Sequence, residues 1–351
     1  MAGKLNYIFV QMKKLKYIPK YLITVLLSLL VAFSSCTDEN PVIQNDGPYQ
    51  FDSARYTWTT DTILNQYSGL VFGLDTSHVY IIGTHSLTFY DGNNYTHHPY
   101  GDLYFNAIDG FDPMHIYIAG AYPNGDNRLM KWDGSVYQDI PVPGDTSLSG
   151  GLTTVYAKSA NEIWFSTIGK IFLSNGSTWT EYEIDSAVGI ISFAEFNGNL
   201  IAIGRRSYGS INSDLEINVY QYENESWPRI FHNITHYYEK PIIPVKLGNK
   251  LYGCLEGLLK FDGSDFYKIL ESPTGYNMGY TVAGESDDNF LTLITSEHEV
   301  FYVNWNGNKW SREIYVVSTE NMKKIGSNYY ILESPCSSCN FVLLRIGKPN
   351  F

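Results

Sequence analysis

The sequence predicts an all-β fold: a seven-bladed β-propeller of four-stranded antiparallel blades, with the last blade closed by the N-terminal strand. Three observations predict it. One hairpin turn recurs at nearly constant spacing. Each copy is preceded by further short strand-like runs. The two chain ends carry complementary fragments of one more copy.

Six turns share one form: YDGNNY (90–95), WDGSVY (132–137), SNGSTW (174–179), YENESW (222–227), FDGSDF (261–266) and WNGNKW (305–310). Their third place is Gly92, Gly134, Gly176, Asn224, Gly263 and Gly307, at spacings of 42, 42, 48, 39 and 44. Asp-Gly and Asn-Gly steps supply the positive φ that a tight hairpin needs. The aromatics flanking each turn fall on paired strands, where cross-strand packing stabilises the hairpin.

Upstream of each turn lie two more short alternating runs. In the third copy they are LTTVYA (152–157) and EIWFST (162–167), before KIFLS (170–174), the turn and WTEYEI (179–184). Four strands in about 43 residues is the period of a propeller blade. Helical periodicity is absent after residue 36.

The ends set the count. FDSARY (51–56) aligns with FDGSDF and places Ser53 at the turn position, so residues 51–60 supply a fourth strand without its blade. Tyr329–Leu332 and Phe341–Ile346 read as strands two and three of a copy that stops near Lys348. Joining the two completes a seventh blade and removes an exposed sheet edge. An open six-bladed array leaves too many backbone groups unpaired.

The turns resemble weakened Asp-boxes, the Ser-x-Asp-x-Gly-x-Thr-Trp hairpins between strands three and four of sialidase-type propellers. Ser174–Trp179 is the nearest match, with Asn175 near the Asp place. Asp-boxes are structural in that family, which implies that these turns are scaffold. No Phe-Arg-Ile-Pro segment is present, and the WD and kelch signatures are absent.

Residues 1–35 read as a targeting segment to be excluded from fold reasoning. Lys13, Lys14, Lys16 and Lys20 precede the apolar run LITVLLSLLVAF (22–33), which is shorter than the roughly 18 residues of a spanning helix. Ser34, Ser35 and Cys36 follow. The arrangement resembles a bacterial lipoprotein signal peptide, with Phe33 where the family usually has leucine, and implies cleavage before Cys36 and lipidation of that residue. Met12 opens a more typical signal than Met1. Thr37, Asp38, Glu39 and Asn40 resemble the surface-export signal of Bacteroidetes lipoproteins. The expected organisation is therefore a signal peptide (1–35), a flexible tether (36–48) and a propeller (49–351). The expected location is the outer membrane, at the cell surface or, alternatively, facing the periplasm.

The chain of 351 residues is 44% hydrophobic and 15% aromatic, with 29 tyrosines, so it has material for a large core. Its net charge is −12, and removing residues 1–35, whose charged groups are all lysines, makes the remainder more acidic. That balance argues against nucleic acid and against peripheral binding to anionic lipid.

Strand order assigns loops to faces. The turns of the 1–2 and 3–4 hairpins share one face and are short. The opposite face carries 2–3 loops at Ala121–Arg128, Arg205–Glu216 and Ser334–Asn340. It also carries the blade connections His97–Leu103, Pro141–Gly151, His232–Pro241 and Ser272–Met278. Long loops on a rigid scaffold are where binding is usually placed. Tyr100, Tyr122, Tyr208, Tyr237, Tyr238 and Tyr276 offer flat rings with hydroxyls, suited to sugars or a protein partner. Filling gaps between blades is the competing explanation for each. Arg205 and Arg206 are candidates for a carboxylate or sulfate, or a solvated loop pair.

No metal or other cofactor is expected. His97 and His98 are adjacent and point to opposite sides of an extended segment. His232 and His236 have helical spacing in an expected loop. Cys336 and Cys339 lie in one tight loop and suit a disulfide in an oxidising compartment; Cys254 reads as a buried strand residue. The expected function is a non-catalytic binding module for a glycan or protein partner at the long-loop face. The alternative is a polysaccharide hydrolase or lyase in the central funnel, with Asp214, Glu216, Glu297 and Glu299 as the acid–base candidates.

Overall fold

The computed structural model describes residues 49–64, 69–124, 126–143, 154–207, 215–235, 243–247, 250–254, 257–316, 321–335 and 341–350. Among them, 28 strands form seven four-stranded antiparallel sheets, and no helix occurs. The first strand, β1 (Tyr56–Leu64), belongs to the last blade. Blade 1 is β2 (Leu70–Asp75), β3 (His78–Ile82), β4 (Ser86–Tyr90) and β5 (Tyr95–Pro99). Blade 2 is β6 (Tyr104–Asp112), β7 (His115–Ala121), β8 (Asn127–Trp132) and β9 (Tyr137–Ile140). Blade 3 is β10 (Thr154–Ser159), β11 (Glu162–Thr167), β12 (Lys170–Ser174) and β13 (Trp179–Glu183). Blade 4 is β14 (Gly189–Phe196), β15 (Asn199–Ser207), β16 (Leu215–Gln221) and β17 (Arg229–Thr235). Blade 5 is β18 (Ile243–Leu247), β19 (Lys250–Cys254), β20 (Gly257–Phe261) and β21 (Phe266–Glu271). Blade 6 is β22 (Asn277–Ser286), β23 (Asn289–Thr295), β24 (Val300–Trp305) and β25 (Trp310–Tyr315). Blade 7 is β26 (Asn321–Ile325), β27 (Asn328–Glu333) and β28 (Phe341–Pro349), completed by β1. This is the seven-bladed propeller expected from the repeat.

All six turns between third and fourth strands carry the left-handed residue that the spacing pointed to. Gly134 sits at φ 94° and Asn224, in the one copy without glycine, at φ 49°. An Asx side chain organises five of the turns. Asp133 Oδ1 accepts the N–H groups of Ser135 and Val136 at 3.0 and 2.9 Å, and Asn175 Oδ1 accepts those of Ser177 and Thr178 at 3.0 and 2.8 Å. Asp91, Asp262 and Asn306 repeat the pattern. Each turn thus satisfies its own backbone donors locally, which is why the motif recurs.

The middle strands are not alternating. In β3, β7 and β11 nearly every residue is buried, including Val79, Ile81, Ile116, Ile118 and Phe165. Their two faces pack against different neighbouring blades, so both are apolar. The outermost strands β5 and β13 are mostly exposed. Each gap between neighbouring blades holds its own hydrophobic cluster. Between blades 1 and 2, for example, Tyr80, Ile82 and Leu87 meet Ile116, Ile118 and Trp132.

Closure follows the expected pairing with a shifted start. β1 pairs with β28 from Tyr56↔Pro349 to Leu64↔Phe341. Residues 51–55 do not begin that strand. Asp52 bridges in parallel to Ser311 of β25, its N–H donating to Trp310 O at 2.9 Å while its O accepts from Arg312 N–H at 3.2 Å. Glu313 then accepts the N–H of Arg55 at 3.0 Å and of Tyr56 at 3.1 Å. The N-terminal segment is thereby held by blade 6 before it completes blade 7.

Candidate functional site

Each innermost strand has one edge bonded to its blade and one edge toward the propeller axis. Around that axis is a cavity of about 400 Å³ lined by parts of β2, β6, β10, β14 and β26. The lining residues come from the first half or middle of most of these strands, which is the end carrying the 2–3 loops and blade connections. Two polar side chains latch neighbouring inner strands. Asn321 Oδ1 accepts Val71 N–H at 3.0 Å, and Asp109 Oδ2 accepts Ala157 N–H at 2.8 Å. The Tyr156 hydroxyl donates to Glu195 Oε1 at 3.2 Å, and burial pushes that phenol's pKa up.

A bulge in β14 between Ile190 and Ser192 breaks the alternation. Ile190 is fully buried, whereas Ile191 is 39% exposed and lines the cavity. Beside it the lining includes exposed Asn106. Asp109 is the single carboxylate among the lining residues, and it is already bonded to backbone.

An aromatic patch lies on the same face, built by blades 1 and 2. Tyr100 sits in the connection from β5 to β6, Tyr122 in the 2–3 loop of blade 2, and His85 in the 2–3 loop of blade 1. Leu103 and Phe105 of the β6 entrance turn inward, which leaves Tyr104 outward and 44% exposed. The His85 ring lies 4.8 Å from the Tyr104 ring, and its Nδ1 is 3.2 Å from Leu103 O. Tyr100 packs edge-on against Tyr137 at 4.7 Å and donates to Asp139 Oδ1 at 3.4 Å. Burial first, then the Asp139 charge and Tyr122, raise the Tyr100 phenol to about 12. The Arg128 guanidinium stands 5.7 Å over the Tyr122 ring. Leu64, Ile168, Ile234 and Val300 are exposed apolar side chains at this same end of their strands or loops.

The sequence-derived candidates separate on this frame. Tyr100 and Tyr122 come together. Arg205 and Arg206 do not form a loop pair: both lie on β15, where neighbours point to opposite sides. Arg205 is exposed, while Arg206 Nη1 lies 3.8 Å from Glu216 Oε2. Glu216 is buried and also meets His232 Nε2 at 3.2 Å, Arg229 at 3.8 Å and Asn218 Nδ2 at 3.0 Å. Arg206 therefore neutralises its own blade's carboxylate, and Glu216 is held among cations instead of standing free as an acid or base. Tyr276 is not an open platform either. It packs 5.4 Å from Phe51 and 5.6 Å from Phe301, and its hydroxyl donates to Glu299 Oε2 at 3.4 Å.

His232 lies on β17 rather than in a loop, and His97 and His98 lie on β5. His97 approaches Thr88 Oγ1 at 3.2 Å, while His98 packs 4.5 Å from Trp132, and burial lowers its pKa. Among the described residues no three His, Cys, Asp or Glu side chains gather to hold a metal ion. Cys254 is buried, which pushes its thiol up to about 12. Tyr208, Tyr237, Tyr238, Cys36, Cys336 and Cys339 lie outside the described residues. Tyr104, His85 and Ile191 were not anticipated. Alternation through Leu103 and Phe105 would have found Tyr104; nothing local announces the bulge at Ile191.

No protein-family model matches the sequence, and no curated protein matches it. Solved structures do. YCF48 bound to D1 peptide is similar at a TM-score of 0.60 and 13% identity, over 86% of this chain and 100% of that one. YCF48 from Cyanidioschyzon merolae gives 0.58 and 16%, over 82% and 98%. BamB from Moraxella catarrhalis gives 0.50 and 11%, over 84% and 99%. At these identities the likeness shows the fold.

Proposed function

We propose that this chain is a binding module that engages an extended segment of a protein partner on its loop face, while tethered to the cell envelope through Cys36. The observation that carries the proposal is the exposed Tyr104 ring against half-buried His85, with half-buried Tyr100 and Tyr122 beside it, on the same end of the propeller as the funnel mouth. Aromatic and apolar side chains on a preformed concave frame favour a partner over solvent. Apart from Val71 and Ala157 N–H, which Asn321 and Asp109 hold, the axis-facing edges of the inner strands present backbone groups to an extended chain. The similar YCF48 structure holding a peptide supports the same direction. The funnel's carboxylate, Asp109, is engaged with Ala157 N–H, which favours binding over acid–base chemistry there.

A sugar is the second reading. The flat, 44% exposed ring of Tyr104 suits stacking on a pyranose face. One experiment separates the two. A photo-crosslinking amino acid replaces Tyr104 in the cell, and the same residue replaces Val136 on the opposite face. Protein adducts at position 104 and none at 136 are expected; equal adducts at both, or none at 104, overturn the protein reading. A glycan array with purified protein, repeated with Tyr104→Ala, reads the sugar alternative. Incorporation of a fatty-acid probe, lost in Cys36→Ser, checks the tether.

A further inference from the structure

A second cavity lies on the opposite, turn-bearing face, where the entry to β1 and the exit from β28 meet. Its volume is about 440 Å³, and its lining includes Arg55, Lys324, Glu285, Asn289, Asn350 and Ser327. We propose that this cleft is a binding site for a small hydroxylated carboxylate, such as a uronic acid, and that its occupant fastens the closure of the propeller.

Two cations and one exposed carboxylate meet there in a chain whose net charge is −12. Arg55 Nη1 donates to Asn304 Oδ1 at 2.9 Å. Asn304 is fully buried and is itself fixed through Phe290 O at 3.0 Å, so it aims the guanidinium. The other guanidinium donors are left to the cleft, in the fork geometry that suits a carboxylate. The Lys324 side chain is 8% exposed, its Nζ lying 2.8 Å from Glu285 Oε1 and 5.3 Å from the Tyr329 ring centroid. Glu285 is 63% exposed, so a ligand carboxylate can share that ammonium at little desolvation cost. Around them the Asn350 amide is held by Ala54 O at 3.3 Å and by the Thr57 hydroxyl, and the Ser327 hydroxyl donates to Asn328 Oδ1 at 3.2 Å; Asn289, whose Oδ1 accepts from Asn304 Nδ2 at 3.5 Å, offers its own Nδ2 to a ligand hydroxyl.

The position gives occupancy a structural consequence. Arg55 leads into β1, Asn350 follows β28, and Lys324 is the penultimate residue of blade 7's inner strand. A ligand touching all three binds the closed propeller and not the open one, so it raises the unfolding temperature by mass action.

The test is calorimetric titration and thermal unfolding of the full chain with D-glucuronate, with D-glucose and sulfate as controls. Glucuronate is expected to bind saturably and raise Tm, and glucose to do neither. Arg55→Gln and Lys324→Met should each weaken binding about tenfold or more, the loss of one charge-assisted hydrogen bond. Arg55→Gln keeps the backbone N–H that Glu313 holds, and Tm without ligand reports folding of both variants. Tyr104→Ala on the other face should bind glucuronate as wild type does. No saturable binding to the folded protein, an equal shift with glucose or sulfate, or unchanged affinity in both variants would overturn the assignment.

Discussion

The indole of Trp58 lies over Gly347, its direct cross-strand partner between β1 and β28; a Cβ at Gly347 would stand 2.7 Å from Trp58 Cη2. The same indole points its Nε1 to Glu313 Oε2 at 3.5 Å, beside the two backbone N–H groups that Glu313 accepts. Closure of the propeller thus depends on a missing side chain on one strand and a large one on the other. Gly347→Ala should lift the indole and destabilise the fold by about 1–3 kcal/mol, the usual cost of overpacking. Urea unfolding measures it, and a red shift of native tryptophan fluorescence should accompany it. An unchanged midpoint would mean that the seam tolerates a displaced indole.

Gly134 tests the repeated turn. It sits at φ 94°, and an added Cβ meets nothing closer than Pro113 O at 3.7 Å, so substitution there isolates the backbone term. Gly134→Ala should cost about 1–2 kcal/mol. Gly134→Asn should cost less, because Asn tolerates the left-handed region and Asn224 occupies the equivalent place. Gly176→Ala should exceed both, since its Cβ would stand 3.2 Å from the backbone Ala160 O and would displace the Asn161 amide, now 2.6 Å away. Chemical-denaturation midpoints give the order. Equal costs at positions 134 and 176 would remove the steric part of this account.

The blade count was readable because each turn solves its geometry with its own residues. Asp133 and Gly134 need no distant partner to declare a hairpin. Tyr100 and Tyr122 were readable as face residues because strand direction alone decides which end a loop occupies. Arg205 and Arg206 were misplaced because β15 runs on to Ser207 through polar residues that a hydrophobic pattern cannot follow. The buried and half-buried carboxylates were illegible for a different reason. Glu216, Glu313 and Glu333 look like any solvated acid until long-range packing brings Arg206, the Arg55 N–H and Arg345 to them. Residues 51–55 likewise carried no sign that they would first dock on blade 6.

The Asp-based turns predict an acid-sensitive component of stability. Backbone N–H groups from Asn94, Val136 and Asp265 are the main groups holding Asp91, Asp133 and Asp262 below their usual carboxylate value of 3.8. The unfolded chain lacks those bonds and binds protons more readily. Their stabilisation is therefore complete above about pH 4 and is lost as the pH falls through the depressed folded values. Asn175 and Asn306 make the same bonds without titrating. The triple variant Asp91→Asn, Asp133→Asn, Asp262→Asn should flatten the fall in Tm between about pH 4 and pH 2 relative to wild type. Parallel Tm curves would show that other carboxylates dominate acid unfolding.

The last blade carries a buried ion pair whose removal should be asymmetric. Arg345 donates from Nε to Glu333 Oε1 at 2.9 Å, from Nη2 to Oε2 at 3.3 Å, and from Nη1 to Thr60 Oγ1 of β1 at 2.8 Å. Glu333 is fully buried, whereas the Arg345 side chain is 19% exposed. Arg345→Leu removes the guanidinium from a fully buried carboxylate and should cost about 3–5 kcal/mol. Thr60→Val removes one hydrogen bond at the rim and should cost about 0.5–1.5 kcal/mol. Arg345→Leu with Glu333→Leu replaces the pair by apolar groups and should recover much of the first loss, because the pair's attraction mainly offsets its own desolvation. A double-mutant cycle from urea midpoints reads the coupling. Additive losses at the two sites would mean that Glu333 is compensated without Arg345, and that the contact to Thr60 is the part of this network that holds β1 in place.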